Sequence, residues 1–244
     1  MLYSATTVSG HSRLIATEDD LHDWLVRPRK MSEVAWYLNP YTLALQRAGQ
    51  FPVGADDFVV ADGGVMARLA ARVAGRPCES LSFDYSAVGL RAIDRIAAAG
   101  LRLALVGGTA QEAAGVARCL EDRHPGLDIV LARSGYDIAG RQVLDELARA
   151  EPDVVLLSVG SPWQEQLALQ AKAWLAKPAA IVTCGAFVHQ TARHPYYPDP
   201  IVRLNMRWLY RALRTPHVAL RIARYYLPFV TRAMLRQPTL PFRR

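Results

Sequence analysis

The stretch Leu101–Thr109, LRLALVGGT, decides the fold. An apolar run breaks at Gly107–Gly108–Thr109, and Gln111 to about Arg123 then carries helical spacing, with Glu112 near the positively polarised helix start. The same order recurs outward from it. Asp153–Val159 (DVVLLSV) leads into Gly160–Ser161–Pro162 and a helix over Gln164–Leu175. Leu127–Ala132 follows the Pro125–Gly126 break, and Ala180–Thr183 ends at Cys184–Gly185. Toward the N-terminus, Val34–Leu38 and Phe58–Ala61 read as strands, and Val65–Val73 and Ser86–Ala99 as helices. Strands alternating with helices predict an α/β fold, a Rossmann-like, mostly parallel sheet with helices on both faces. Such sheets bind ligands beyond the carboxyl ends of their strands. The turns ending in Asn39, Asp62, Gly107–Thr109, Gly160–Glu165 and Gly185 are therefore expected along one edge. No internal repeat or low-complexity linker interrupts the chain. Its character changes around Tyr196–Pro200, which divides an α/β body, residues 1–199, from a helical appendage, residues 200–244.

Charge separates the two parts. After Asp199 there is no acidic residue, whereas ten arginines follow: Arg203, Arg207, Arg211, Arg214, Arg221, Arg224, Arg232, Arg236, Arg243 and Arg244. The whole chain carries +7, so the first 199 residues carry −3. A mildly acidic body with a basic tail calls for an anionic partner at the tail. No apolar stretch approaches the roughly 20 residues that cross a bilayer. The first residues lack a basic run followed by an apolar core, so no signal peptide is expected. Cys78, Cys119 and Cys184 form no CxxC pair, which predicts a reduced, cytoplasmic setting with all three as small core residues.

Several turns have parts suited to chemistry. Gly107–Gly108–Thr109 offers flexible backbone, N–H groups and a following helix start, as phosphate binding requires. Its spacing is neither GxGxxG nor a Walker loop, and a tight turn without ligand is the alternative. Gly160–Glu165 presents an amide, Gln164, and a carboxylate, Glu165, suited to sugar or ribose hydroxyls; alternatively Ser161 simply caps the helix. Asp62, between Phe58–Ala61 and Gly63–Gly64, can take a proton from an attacking hydroxyl, or it merely closes a turn. There is no Asp-x-Asp to clamp a nucleotide diphosphate through metal. His189 and His194, five apart, are off register for joint metal binding and read as surface or satisfied core side chains. Neither Gly-x-Ser-x-Gly nor a Cys–His arrangement supports hydrolase chemistry.

In the tail, Arg203, Arg207, Arg211 and Arg214 are spaced to form one stripe along a helix, interleaved with Leu204, Trp208, Leu209 and Leu213. Arg221 and Arg224 continue the basic series among Leu220, Tyr225 and Tyr226. Such a segment fits an interfacial membrane helix, each basic residue adding about 1 kcal/mol on anionic lipid. Its guanidinium forks also match a diphosphate. A solvated basic face packed on the body is the alternative. No recognised motif supports nucleic-acid binding.

Read in order, these pieces resemble the WecG/TagA/CpsF glycosyltransferase family. The resemblance rests on Leu38–Asn39, Val60–Gly63, Leu105–Thr109, His124–Leu127, Ser134–Tyr136, Val159–Glu165, Cys184–Phe187 and Arg203–Arg211. It implies an enzyme, a UDP-sugar-dependent hexosyltransferase that inverts the anomeric centre with no metal and no other cofactor. It implies a UDP-sugar donor of glucose or N-acetylmannosamine type and an undecaprenyl-diphosphate-linked sugar as acceptor, in cell-surface polysaccharide synthesis. Asp62 matches the family's general base. The donor site maps to Asn39, Gly107, Gly108, Thr109, Tyr136, Gly160, Gln164, Glu165 and Gly185. The acceptor diphosphate and membrane contacts map to Arg203, Arg207, Arg211, Arg214, Arg221 and Arg224. Location is expected to be cytoplasmic, peripheral at the inner face of the membrane, with a homo-oligomer as one way to cover the tail. The chain departs from the family at Tyr37, where many members have threonine, and in the shortened Asp62–Gly63–Gly64–Val65 turn. It departs again at Glu79–Asp84 (ESLSFD), which lacks the arginine of a common ERVTG segment. These departures are similar to GumM-like exopolysaccharide transferases. Two rival readings are a nucleotide-dependent oxidoreductase, whose glycine fingerprint is missing, and a non-catalytic membrane- or nucleic-acid-binding module.

Overall fold

The computed structural model describes residues 12–137, 141–204, 206–235 and 240–242; Asn205, Arg236, Arg243 and Arg244 of the features above lie outside them. In chain order the elements are β1 (Arg13–Ile15), α1 (Glu18–Val26), β2 (Glu33–Leu38), α2 (Pro40–Arg47), β3 (Phe58–Ala61), α3 (Gly64–Ala74) and α4 (Val88–Ala98). Next come β4 (Arg102–Gly107), α5 (Ala110–Arg123), β5 (Asp128–Arg133), α6 (Gln142–Ala150), β6 (Val154–Ser158), α7 (Trp163–Trp174), β7 (Ala180–Thr183) and α8 (Phe187–Thr191). The tail adds α9 (Asp199–Arg203), α10 (Arg207–Arg214), α11 (Pro216–Arg221), a π-helical turn (Ile222–Tyr226) and α12 (Leu227–Leu235).

The seven strands form one parallel sheet in the order β1-β3-β2-β7-β6-β4-β5. Every residue of β2, β3, β6 and β7 is buried, the pattern of parallel strands covered on both faces. Alternation sends Ala35, Tyr37, Leu103, Leu105, Leu156 and Val182 to one face, under α1, α4, α5 and α8. Val34, Trp36, Leu38, Ala104, Val106 and Leu157 fill the other, under α2, α3, α6 and α7. Each buried Val or Leu among these contributes roughly 1.5–3 kcal/mol. The helix after β7 therefore lies on one face, and the helices after its neighbours β2 and β6 lie on the other. That divergence opens a crevice at the carboxyl edge around β7.

The α/β expectation is met, with strand ends displaced by a residue or so. Among elements outside the sequence reading, β1 is too short to show a pattern. Helices α1 and α2 carry a readable start: Thr17 Oγ1 and Asn39 Oδ1 accept from amides of the first turn and close capping boxes. Asp57, buried one residue before β3, accepts from the Val34 amide (3.1 Å), Trp36 Nε1 (3.2 Å) and Lys172 Nζ (2.5 Å), tying β2, β3 and α7 together.

Two expectations are corrected. The arginines at 203, 207, 211 and 214 do not share one helix: Arg203 ends α9, and the other three lie in α10. Helix α10 stops at Arg214 because Thr215 precedes Pro216 and takes extended backbone. Of the three cysteines expected in the core, only Cys184 is buried; Cys78 lies in the irregular segment after α3, and Cys119 borders the buried stripe of α5.

The tail packs on the body. Tyr225 meets Tyr41 at 5.0 Å, Arg221 lies 4.5 Å from the Tyr41 ring, and Phe229 enters the core. Beyond α12, Phe242 is buried in the same core and pairs with Ser12 ahead of β1, while Ser12 Oγ donates to the Pro241 carbonyl. No helix among the described residues is long and apolar enough to cross a membrane.

Candidate active site

Asn39, Asp62, Gly107, Gly160 and Gly185 follow or end β2, β3, β4, β6 and β7, five strands contiguous in the sheet, so the expected gathering along one edge is observed. Asp62 is half-buried. Its Oδ1 accepts from Ser82 Oγ (2.8 Å), and its Oδ2 accepts from Asn39 Nδ2 (3.2 Å). Because Asn39 Oδ1 accepts the Tyr41 and Thr42 amides, its NH₂ group is the end left to face Asp62. Both bonds come from other segments, so the carboxylate is oriented across the edge rather than spent on its own turn. Ser82, in the departing Glu79–Asp84 segment, is a site residue that sequence reasoning missed. Tyr37 lies beneath with its phenol buried and unpartnered; burial pushes it well above its ordinary pKa, and Cys184 and Asp62 add to the rise.

The second group surrounds the start of α7. Ser161 does not cap this helix: its Oγ donates to Glu165 Oε1 (2.7 Å) and accepts from Gln164 Nε2 (3.2 Å). Gln164 Nε2 also reaches Glu165 Oε1 (3.0 Å), and Gln164 Oε1 accepts the Gly185 amide (2.9 Å), joining the β6 and β7 turns. Gly160 and Gly185 have positive φ, which these turns require. Glu165 is 2 % exposed, and its Oε2 has no partner. Burial raises its carboxyl pKa, and Gln164, Ser161 and the charge of Arg221 only partly oppose this. An unpartnered buried carboxylate oxygen costs free energy until something donates to it.

The Gly107–Thr109 turn is built differently. A Cβ at Gly107 would stand 2.5 Å from Ser158 Cβ, and one at Gly135 would stand 2.8 Å from Gly107 Cα. These glycines let β4, β6 and the 134–136 loop approach closely. Thr109 caps α5, and its own amide donates to Glu112 Oε2 (2.9 Å). A carboxylate thus already occupies one donor of this helix start. Tyr136 is 78 % exposed, beyond this turn.

Tail groups reach the site from above. Arg207 donates to Ser86 Oγ and Ser86 O (both 3.1 Å) and lies 3.8 Å from Asp84 Oδ2. Asp84 is buried, which raises its pKa against the bonds from Ser86 and the charge of Arg207. Burial also raises the Tyr226 phenol, with the charge of Asp62 adding to the rise and Arg211 and Arg221 opposing it. Arg203, Arg214 and Arg224 are exposed, with Arg214 over Tyr210 and Arg224 over Tyr225. The six tail arginines therefore divide, and Arg207, Arg211 and Arg221 are the ones turned to the body. His189 meets Glu112, whereas His194 meets the Tyr85 ring. Among the described residues no three His, Cys, Asp or Glu come together as a metal site.

The chain is 28% identical over 212 residues to the UDP-Gal:alpha-D-GlcNAc-diphosphoundecaprenol beta-1,4-galactosyltransferase of Shigella boydii, covering 85% of this chain and 88% of that enzyme. It is 25% identical over 161 residues to an N-acetylglucosaminyldiphosphoundecaprenol N-acetyl-beta-D-mannosaminyltransferase of Bacillus spizizenii, covering 66% of this chain and 62% of the relative. A protein of the same name from Bacillus subtilis is 28% identical over 115 residues, 47% of this chain and 45% of its own. The profile of the glycosyl transferase WecG/TagA/CpsF family matches residues 16–242. The oxidoreductase and non-catalytic readings therefore fall away, and the chain belongs to the WecG/TagA/CpsF family of glycosyltransferases.

Proposed function

We propose that this hexosyltransferase moves a hexose from a UDP-linked donor to a sugar carried on undecaprenyl diphosphate, inverting the anomeric centre in one displacement. The observation that carries the reading is the Asp62 carboxylate, held by Asn39 and Ser82 at the carboxyl edge of the sheet. In the step, the acceptor hydroxyl oxygen bonds to the anomeric carbon as the bond from that carbon to the phosphate oxygen breaks. The hydroxyl proton passes to Asp62, and the bonding pair leaves with UDP. Glu165 Oε2, lacking a partner, accepts from a donor hydroxyl, while Gln164 keeps the Gly160 and Gly185 turns together. Arg207, Arg211 and Arg221 offset diphosphate charge in place of a metal ion and exclude water. A hexose without an N-acetyl group is favoured because the galactosyltransferase relative aligns over 85% of the chain, against 66% and 47% for the mannosaminyl ones.

Exposed Leu204, Trp208, Leu213, Leu220 and Leu227 alternate with outward arginines, and this face rests on the inner leaflet of the cytoplasmic membrane. There the enzyme extends a lipid-linked precursor of an exopolysaccharide. The test is UDP release by purified protein given short-chain lipid-diphosphate-linked glucose or N-acetylglucosamine and UDP-glucose, UDP-galactose, UDP-glucuronate or UDP-N-acetylmannosamine. Acceptor-dependent release with UDP-glucose or UDP-galactose, unaffected by EDTA, is expected. Release only with UDP-N-acetylmannosamine would overturn the hexose assignment, and loss of release on adding EDTA would overturn the metal-free one.

A further inference from the structure

A cavity of about 550 Å³ lies between α5 and the residues after α8, and the transfer step above does not use it. Its volume is that of a small-molecule site. Arg118, Arg123, Arg193 and His194 all line it, from the middle of α5, its last residue and the loop at 192–194. Two of these are held in place. Arg123 Nη1 donates to Tyr85 Oη (2.9 Å), and the His194 ring packs edge-on against the Tyr85 ring at 4.7 Å. Tyr85 is itself buried, so it is a fixed post between Arg123 and His194.

Charge does not balance around the cavity. Glu112 is its one lining carboxylate, and that group is already engaged by the Thr109 amide, Arg193 and His189. Arg118 and Arg123 have no carboxylate partner among the described residues. Guanidiniums lining one cavity repel one another unless an anion sits between them. A second observation is independent of charge. Gly115 lines the same cavity in the interior of α5, where glycine weakens a helix relative to alanine. A Cβ there would meet nothing within 4 Å, so no packing inside the chain requires glycine. Its absence of side chain leaves the helix backbone open to whatever fills the space.

We propose that this cavity is a second anion-binding site, separate from the transfer crevice, that takes a diphosphate. Planar guanidinium forks at Arg118 and Arg123 pair with its oxygens, Arg193 and His194 close the far side, and Gly115 admits it against the helix. Two sources offer this chemistry, a lipid carrier and a nucleoside diphosphate. The inference does not rest on the acceptor assigned above.

The experiment is calorimetric titration of the full chain with inorganic pyrophosphate in saturating UDP, which fills the transfer crevice. Binding of one equivalent is expected, weakened about 30-fold or more in Arg118→Gln/Arg123→Gln, the loss of two charge-assisted contacts. Gly115→Leu is expected to abolish it while raising the melting temperature, because leucine is the better helix former. Displacement of bound pyrophosphate by farnesyl diphosphate assigns the site to the lipid carrier. Displacement by UDP beyond its first equivalent assigns it to the nucleotide. No pyrophosphate binding in saturating UDP when UDP itself binds at one equivalent only, or affinity unchanged in both variants, overturns the proposal.

Discussion

Asp62 owes its aim to two neutral donors, Asn39 and Ser82, and not to a charged partner. Asp62→Asn retains both neighbours and the shape of the turn, so it is expected to fold normally and lose about 10²–10⁴ in kcat, with donor KM little changed. UDP release under saturating substrates checks this, and near-normal turnover would remove Asp62 from the role. The Glu165 carboxyl holds a proton more tightly when folded than unfolded, so stability declines as pH rises from the unfolded carboxylate value through the raised folded one. Glu165→Gln keeps an oxygen for Ser161 and Gln164 and puts an amide where Oε2 has no partner. Thermal unfolding across that pH range is expected to show a flatter decline and an equal or higher melting temperature at neutral pH. Donor KM is expected to rise about 10- to 100-fold, the worth of a charge-assisted hydrogen bond. Asp84, also raised, supplies a parallel decline that persists in the variant.

Strand β4 and its turn show what one element demands of its neighbours. Gly107 stands so close to Ser158 that an added methyl meets both Ser158 Cβ and the Ser158 carbonyl at 2.5 Å, and backbone cannot swing aside. Gly107→Ala is expected to destabilise the protein by about 1–3 kcal/mol in denaturant unfolding, a cost of overpacking. Unchanged stability would mean that β4 and β6 separate easily. The alternation of apolar runs with glycine turns was legible because parallel strands buried on both faces have nearly continuous hydrophobic sequence. The site's edge was legible for the same reason, since each turn sits at a strand's carboxyl end. Ser82 was not legible, because it lies in an irregular segment and tertiary packing alone brings it to Asp62. The two roles open for Ser161 also needed coordinates, because a serine beside a helix start has the same sequence whether it caps the helix or bonds a carboxylate in the next turn.

At the scale of the whole molecule, the basic tail over the mildly acidic body is a sorting of arginines by direction. Arg207, Arg211 and Arg221 turn inward, while Arg203, Arg214 and Arg224 face out among exposed Leu204, Trp208 and Leu213. On the membrane reading, Arg203→Gln/Arg214→Gln/Arg224→Gln is expected to weaken binding to anionic vesicles by about 100-fold, at about 1 kcal/mol per arginine. UDP affinity should be unchanged, and the remaining vesicle binding should fall further with added salt. Vesicle binding equal to that of the unaltered protein would show that the outward face does not meet lipid. The sequence carried the charge asymmetry but not the sorting, because four arginines at helical spacing do not show that a break after the first separates it from the other three. The pairing of Ser12 with Phe242 also has a consequence for biosynthesis. Synthesis reaches residue 242 only after every strand of the sheet has been made, so Ser12 finds its neighbour last. The crevice is therefore assembled before it is roofed, and a nascent chain halted within the tail would present its transfer site open, with β1 paired to β3 but Ser12 still lacking Phe242.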